Sequence, residues 1–124
     1  IESLYEYSVN TIIHKTVVDP LRAEFPNTPI FTIPVGWAAV DLVKMREDGQ
    51  LLDSIDFSGP KASSLFTDTK GHQGQIIIEA GTLMWMNGIY NIDLDSSAYQ
   101  TGFNTDLHGL ADQIMGNHDT VYKQ

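Results

Sequence analysis

Asp68 and His72 stand four residues apart in the stretch Phe66-Thr67-Asp68-Thr69-Lys70-Gly71-His72-Gln73-Gly74-Gln75, directly ahead of an apolar run from Ile76 to Tyr90. A carboxylate and an imidazole in one short polar loop are the groups with which an acyl-transfer site prepares its general base. The histidine takes a proton from an attacking hydroxyl and returns it to the leaving group, while the acid fixes the tautomer and stabilises the imidazolium. Gly71 lets the loop turn tightly enough for both side chains to reach one place. The same residues also suit a solvated loop in which the aspartate makes an Asx-turn and the histidine flanks a helix. The other half of such a site is a nucleophile with its oxyanion donors, and no segment of the sequence supplies it.

Several elements must hold that loop in place. Leu4, Val9, Ile12, Ile13, Val17 and Leu21 recur at helical spacing, which predicts an amphipathic helix over about residues 2–24, with Pro20 kinking it or starting a new turn. After Phe25-Pro26-Asn27-Thr28-Pro29, the short apolar run Ile30–Val35 predicts a buried strand that Gly36 ends. Ala38 to Glu47 predicts a second helix, stopped at Asp48-Gly49. Residues 50–75 read as a long polar connection, and such a connection inside a compact domain is usually either functional or an element misread as loop. A buried helix from about Gln73 to Tyr90 follows, and a last one from about Thr105 to Asn117 places Leu107, Leu110, Ala111, Ile114 and Met115 on one face. Helix, strand, helix is the order of an α/β unit. One strand alone makes no parallel sheet, so either a weak segment such as Leu51–Phe57 pairs with it or the missing strands lie on another polypeptide; we expect the second.

The 124 residues suit one domain or one piece of a domain. The chain opens on Ile1-Glu2-Ser3-Leu4 without Met or a signal-like apolar segment, and a processed or cut polypeptide is the expectation. No stretch approaches the ~18–20 apolar residues that a membrane span requires. Seven basic against sixteen acidic residues give a net charge of -9, with the acids spread along the chain. Such a surface repels phosphate backbones and anionic membranes alike, so neither nucleic acid nor a membrane is an expected partner. With no cysteine there is no disulfide, thiolate zinc site or cysteine nucleophile.

The ordered set formed by an apolar strand ending in Pro34-Val35-Gly36, a helix with Trp37 and Ala38 at its start and a stop at Gly49, then Leu65-Phe66-Thr67-Asp68 and Gly71-His72-Gln73-Gly74 before a long apolar helix containing Trp85, resembles the C-terminal half of SGNH (GDSL-type) hydrolases. The resemblance covers roughly residues 1–95. It implies an α/β fold: part of a flavodoxin-like three-layer α/β/α domain with a parallel sheet, whose N-terminal strands are missing from this chain. It also implies a serine esterase acting on a small ester or a carbohydrate O-acetyl ester without a metal or organic cofactor. Asp68 is then the triad acid and His72 the base. The loop has one residue more than the family's usual Asp-x-x-His, and the family's Gly-Asp-Ser-Leu-like nucleophile block and its oxyanion Gly and Asn have no counterpart here. The missing N-terminal portion of the same protein becomes the expected partner.

The other candidates are weaker. Ser58, Ser63 and Ser64 lie in the connection that leads to His72, but lack the strand-to-helix elbow that exposes a nucleophile. Asp106, His108, Asp112, His118 and Asp119 fit no standard metal spacing, and a solvated terminal helix is the expectation there. His14, with Asp19 out of i, i+4 register, is expected at the surface or partly buried. Trp37, near the strand end, is the candidate sugar-stacking platform, and Trp85 is expected in the core. The rival reading is a non-catalytic binding or assembly module that associates with itself or a partner through the apolar face of the first helix, its loop histidine incidental.

Overall fold

The computed structural model describes residues 2–124. It has the mixed helix and strand content of an α/β chain, with a small parallel two-stranded sheet. The predicted first helix is present as three consecutive pieces: α1 (Glu2–Tyr7), a π-helical stretch Ser8–Val18, and α2 (Asp19–Glu24). Wide winding on this scale is rare. The stretch is rich in β-branched residues, which crowd the i, i+3 and i, i+4 positions of an α-helix, and the Thr16 hydroxyl bonds back to the Ile12 carbonyl. The Asp19 N–H reaches the His14 carbonyl five residues back, and normal winding resumes where Pro20, with no N–H to place, sits in the first turn of α2.

The face of this helix that turns inward differs from the expected one. His14 and Val18 are buried, whereas Leu4, Ile12, Ile13, Val17 and Leu21 are exposed. Apart from the half-buried Val9, the expected apolar face thus lies in solvent, and the wide winding together with a polar anchor at His14 sets that orientation.

The strand expected at Ile30–Val35 does not form. Pro29 and Pro34 bracket it without ladder donors, the Thr32 N–H bonds to the Tyr122 carbonyl at 2.9 Å, and the Val35 N–H curls back to Ile33 at 2.9 Å. Gly36, expected as its end, begins α3 (Gly36–Glu47). The sheet comes instead from the connection 50–75: β1 (Asp56–Ser58) runs parallel to β2 (Ser64–Phe66), with Asp56 opposite Ser64 and Ser58 opposite Phe66. A single 3₁₀ turn at Lys61–Ser63 replaces the usual long crossover. The end of the weak segment Leu51–Phe57 is therefore a strand, paired with β2 rather than with residues 30–35.

α4 (Gln75–Tyr90) and α5 (Leu107–Asn117) match the predicted helices to within two residues. One core joins Ala38 and Leu42 of α3, Leu65 of β2, Ile76, Ile77, Ala80, Leu83 and Met84 of α4, and the predicted face of α5. Trp85 is outside it, 52% exposed. Residues 76, 77, 80, 83 and 84 form one α4 stripe, and position 85 lies a further 100° or so round the helix, on the solvent side.

Candidate active site

β2 leads straight into the loop that carries Asp68 and His72. Phe66 bridges antiparallel to Gln73, and the Thr67 N–H donates to the His72 carbonyl at 2.8 Å, so residues 67–72 close as a hairpin between β2 and the start of α4. Gly71 holds the tip with φ of +84°, a left-handed conformation that a side chain resists. At the base, the buried Gly74 donates its N–H to the Leu65 carbonyl at 2.6 Å. The two residues therefore stand at the carboxyl end of a parallel strand, on a short segment tied at both ends.

Within this hairpin the two readings of Asp68 coexist, one on each oxygen. Oδ1 accepts the Lys70 N–H at 2.9 Å and the His72 N–H at 3.3 Å, which is the Asx-turn. Oδ2 lies 2.5 Å from His72 Nδ1. A carboxylate accepts and cannot donate, so Nδ1 carries the proton, and in the neutral imidazole Nε2 then presents its lone pair outward. Nε2 has no protein hydrogen bond among the described residues, and the His72 side chain is 72% exposed against 40% for Asp68. The hydrogen bond from His72 is the main cause that holds the Asp68 carboxyl below the usual carboxylate range; a smaller desolvation effect opposes it, and the backbone N–H groups of His72 and Lys70 add to it. The acid thus stays ionised when the imidazole accepts a proton.

Alanine at position 71 has open space for its methyl group but must adopt the left-handed backbone. Gly71→Ala is expected to cost about 1–2 kcal/mol of stability by thermal or denaturant unfolding. An unchanged unfolding midpoint would show that the hairpin tip has no need of that conformation.

No serine completes the site within the described residues. Ser64 is fully buried, its hydroxyl lying 2.7 Å from the Pro60 carbonyl and 2.9 Å from that of Phe66. Ser58 is exposed on β1, Ser63 is half-buried in the 3₁₀ turn, and neither bonds to His72. Trp37 is half-buried at the start of α3, its ring edge-on to Tyr5 with centroids 5.0 Å apart. It lines a cleft of about 480 Å³ with Glu2, Glu6, Asp41, Lys44 and His118, and the lining includes neither Asp68 nor His72. The dyad and the expected stacking platform therefore do not share that cleft.

The C-terminal acids and histidines are dispersed. Asp106 caps α5 by accepting the Gly109 N–H, Asp119 accepts the Val121 N–H, Asp112 is exposed, and the two ring nitrogens of His108 face the carbonyls of Leu94 at 2.8 Å and Tyr99 at 3.0 Å. Among the described residues no group of three or more His, Asp or Glu side chains is placed to hold a metal ion. His14, expected at the surface or partly buried, is fully buried at 1% exposed. It stacks on Tyr122 at 3.7 Å, and its Nε2 lies 2.9 Å from the Thr32 hydroxyl, which lies equally close to His118 Nε2. The expected apolar stripe contained neither His14 nor the buried Val18, so no sequence signal pointed there. Comparison with protein-family models, with curated proteins and with solved structures finds no match to this chain.

Proposed function

We propose that this chain supplies the Asp/His half of an SGNH-type serine ester hydrolase site, as part of a flavodoxin-like α/β/α domain whose nucleophile block lies on another stretch of polypeptide, the portion of the protein that precedes Ile1. The observation that carries the reading is the Asp68–His72 hydrogen bond at the carboxyl end of β2, which directs the proton to Nδ1 and leaves Nε2 free. Open α/β sheets present their ligands at that end of the strands.

In the assembled site a serine hydroxyl attacks the ester carbonyl while its proton passes to His72 Nε2. Asp68, ionised and fixed by two backbone N–H groups, stabilises the imidazolium so formed. His72 then protonates the departing alkoxide, leaving an acyl-serine. A water gives its proton to Nε2 as it attacks the acyl carbonyl, and collapse returns that proton to the serine with release of the carboxylic acid. The chemistry needs no metal or organic cofactor. Its substrate class is a small ester or a carbohydrate O-acetyl ester, in keeping with a solvent-open histidine.

The test is complementation. This chain alone is expected to hydrolyse an aryl acetate no faster than background, and a polypeptide carrying a Gly-Asp-Ser-like block is expected to restore turnover when joined or added to it. Turnover by the pure chain that Ser63→Ala abolishes would overturn the division of the site. A second reading, an assembly module, is favoured by the outward apolar residues Leu4, Ile12, Ile13 and Val17. It predicts concentration-dependent self-association in light scattering that Ile12→Glu removes, with no esterase activity in any combination.

A further inference from the structure

Away from the Asp68–His72 loop, one hydroxyl joins two buried imidazoles. Thr32 Oγ1 lies 2.9 Å from the Nε2 atoms of both His14 and His118, whose rings are 5.5 Å apart and which are 1% and 8% exposed. Around them the C-terminal segment Thr120–Tyr122 is fastened to the first helix by a ring stack and several hydrogen bonds. The Tyr122 ring stacks on His14, its hydroxyl donates to Asp19 at 2.9 Å and accepts from Lys15 at 2.7 Å, and Arg22 donates to the Val121 carbonyl at 2.8 Å. The Tyr122 carbonyl accepts the Thr32 N–H.

We propose that His14, Thr32 and His118 form an acid-sensitive latch, which holds the segment Thr120–Tyr122 against the first helix while at most one of the two imidazoles is protonated and opens when both are. A threonine hydroxyl has one proton to give and two lone pairs. With both rings neutral, one Nε2–H donates to Oγ1 and Oγ1–H donates to the other Nε2. A proton added to the ring whose Nε2–H already donates to Oγ1 leaves this pattern intact. A second proton makes both nitrogens donors, leaves the hydroxyl hydrogen without its acceptor, and places two like charges side by side out of water.

The charged groups around the pair do not cancel this. Asp19 on the first helix and Asp119 on the tail favour a charged His14, while Lys15 and Arg22 oppose it. His118 faces His14 and Lys123, which oppose its charge, and Asp119, which favours it, while Glu2, Glu6, Asp41 and Lys44 line the same cleft. Burial, the largest influence on each, holds both rings below the ordinary histidine value. A base so depressed binds fewer protons folded than unfolded, so the latch keeps its full stability above about pH 6.5 and loses it as the pH falls below that value.

Amide hydrogen exchange at about pH 7.5 and about pH 5, corrected for the intrinsic rate, tests this in the whole chain. Protection of the Thr32 amide is expected to fall, by up to about thirtyfold for each histidine because pH 5 lies about 1.5 units below the ordinary value. In His14→Gln/His118→Gln that fall is expected to disappear. Should the double variant not fold, an NMR titration of the wild-type imidazoles decides, with two separate steps both below the ordinary value expected. Equal Thr32 protection at both pH values, the same fall in a folded double variant, or one joint titration at the ordinary value would overturn the latch.

Discussion

His72→Ala, in the protein joined to its nucleophile, is expected to lower kcat/KM for ester hydrolysis by about ten-thousand-fold or more. On the proposed mechanism the substitution removes the group that accepts the serine proton, and leaves what oxyanion stabilisation and binding supply. His72 is exposed and its ring packs on nothing in the core, so its loss is expected to shift stability by no more than about 0.5 kcal/mol. Asp68, on the same proposed mechanism, acts through the imidazole, and its replacement is expected to cost roughly tenfold to a hundredfold less than that of His72. Asp68→Asn is the better probe than alanine, because its side-chain oxygen can still accept the Lys70 and His72 N–H groups that shape the turn. A stable Asp68→Asn protein with a large kinetic defect would separate the role of the charge from that of the fold. Steady-state kinetics and thermal unfolding of the two variants, measured together, check both statements.

Gly74→Ala is expected to damage stability and the site at once. Its φ of -75° is open to any residue, so the effect is one of space. An added Cβ would overlap the Ser64 carbonyl, a backbone group of β2 that cannot rotate out of the way. Retreat is blocked as well, because the Gly74 N–H is held at 2.6 Å by the Leu65 carbonyl. The strain must pass into the hairpin, where His72 is two residues away. The expected loss is about 1–3 kcal/mol of stability, together with a fall in kcat/KM larger than that of Gly71→Ala. Denaturant unfolding and kinetics measure it, and a Gly74→Ala protein as stable and active as the original would show that β2 and α4 are not in close contact there.

The helices around the core were legible because their apolar stripes follow the 3.6-residue period. Leu107, Leu110, Ala111, Ile114 and Met115 were all assigned to one face and all lie inside. Periodicity also proposed a stripe on the first helix, but period alone does not say which stripe turns inward, and there the hydrogen bond and ring stack of His14 decide it against Ile12 and Val17. Trp85 shows the same limit, since its size suggests burial and its angular position denies it. The apolar run Ile30–Val35 reads as a strand from composition, yet a strand is defined by its partners, and in this chain its backbone groups are taken by Tyr122 and by a local turn. Conversely, Asp56–Ser58 lacks a strand pattern and pairs because one tight turn brings β2 alongside. In the loop, four-residue spacing and a glycine allowed both an Asp68–His72 contact and a solvated Asx-turn, and the two, both local, are present together. Contacts between distant segments, such as Thr32 with His14 and His118, leave no comparable trace in the order of residues.

The central claim is that His72 activates a serine carried elsewhere in the protein, and labelling by a fluorophosphonate reports that activation without reference to any particular ester. The nucleophile-bearing segment alone, and combined with this chain carrying His72→Ala, is expected to stay unlabelled, whereas the segment with the intact chain is expected to be phosphonylated at one serine. Labelling that proceeds equally with folded His72→Ala, or that needs no part of this chain, would contradict the account.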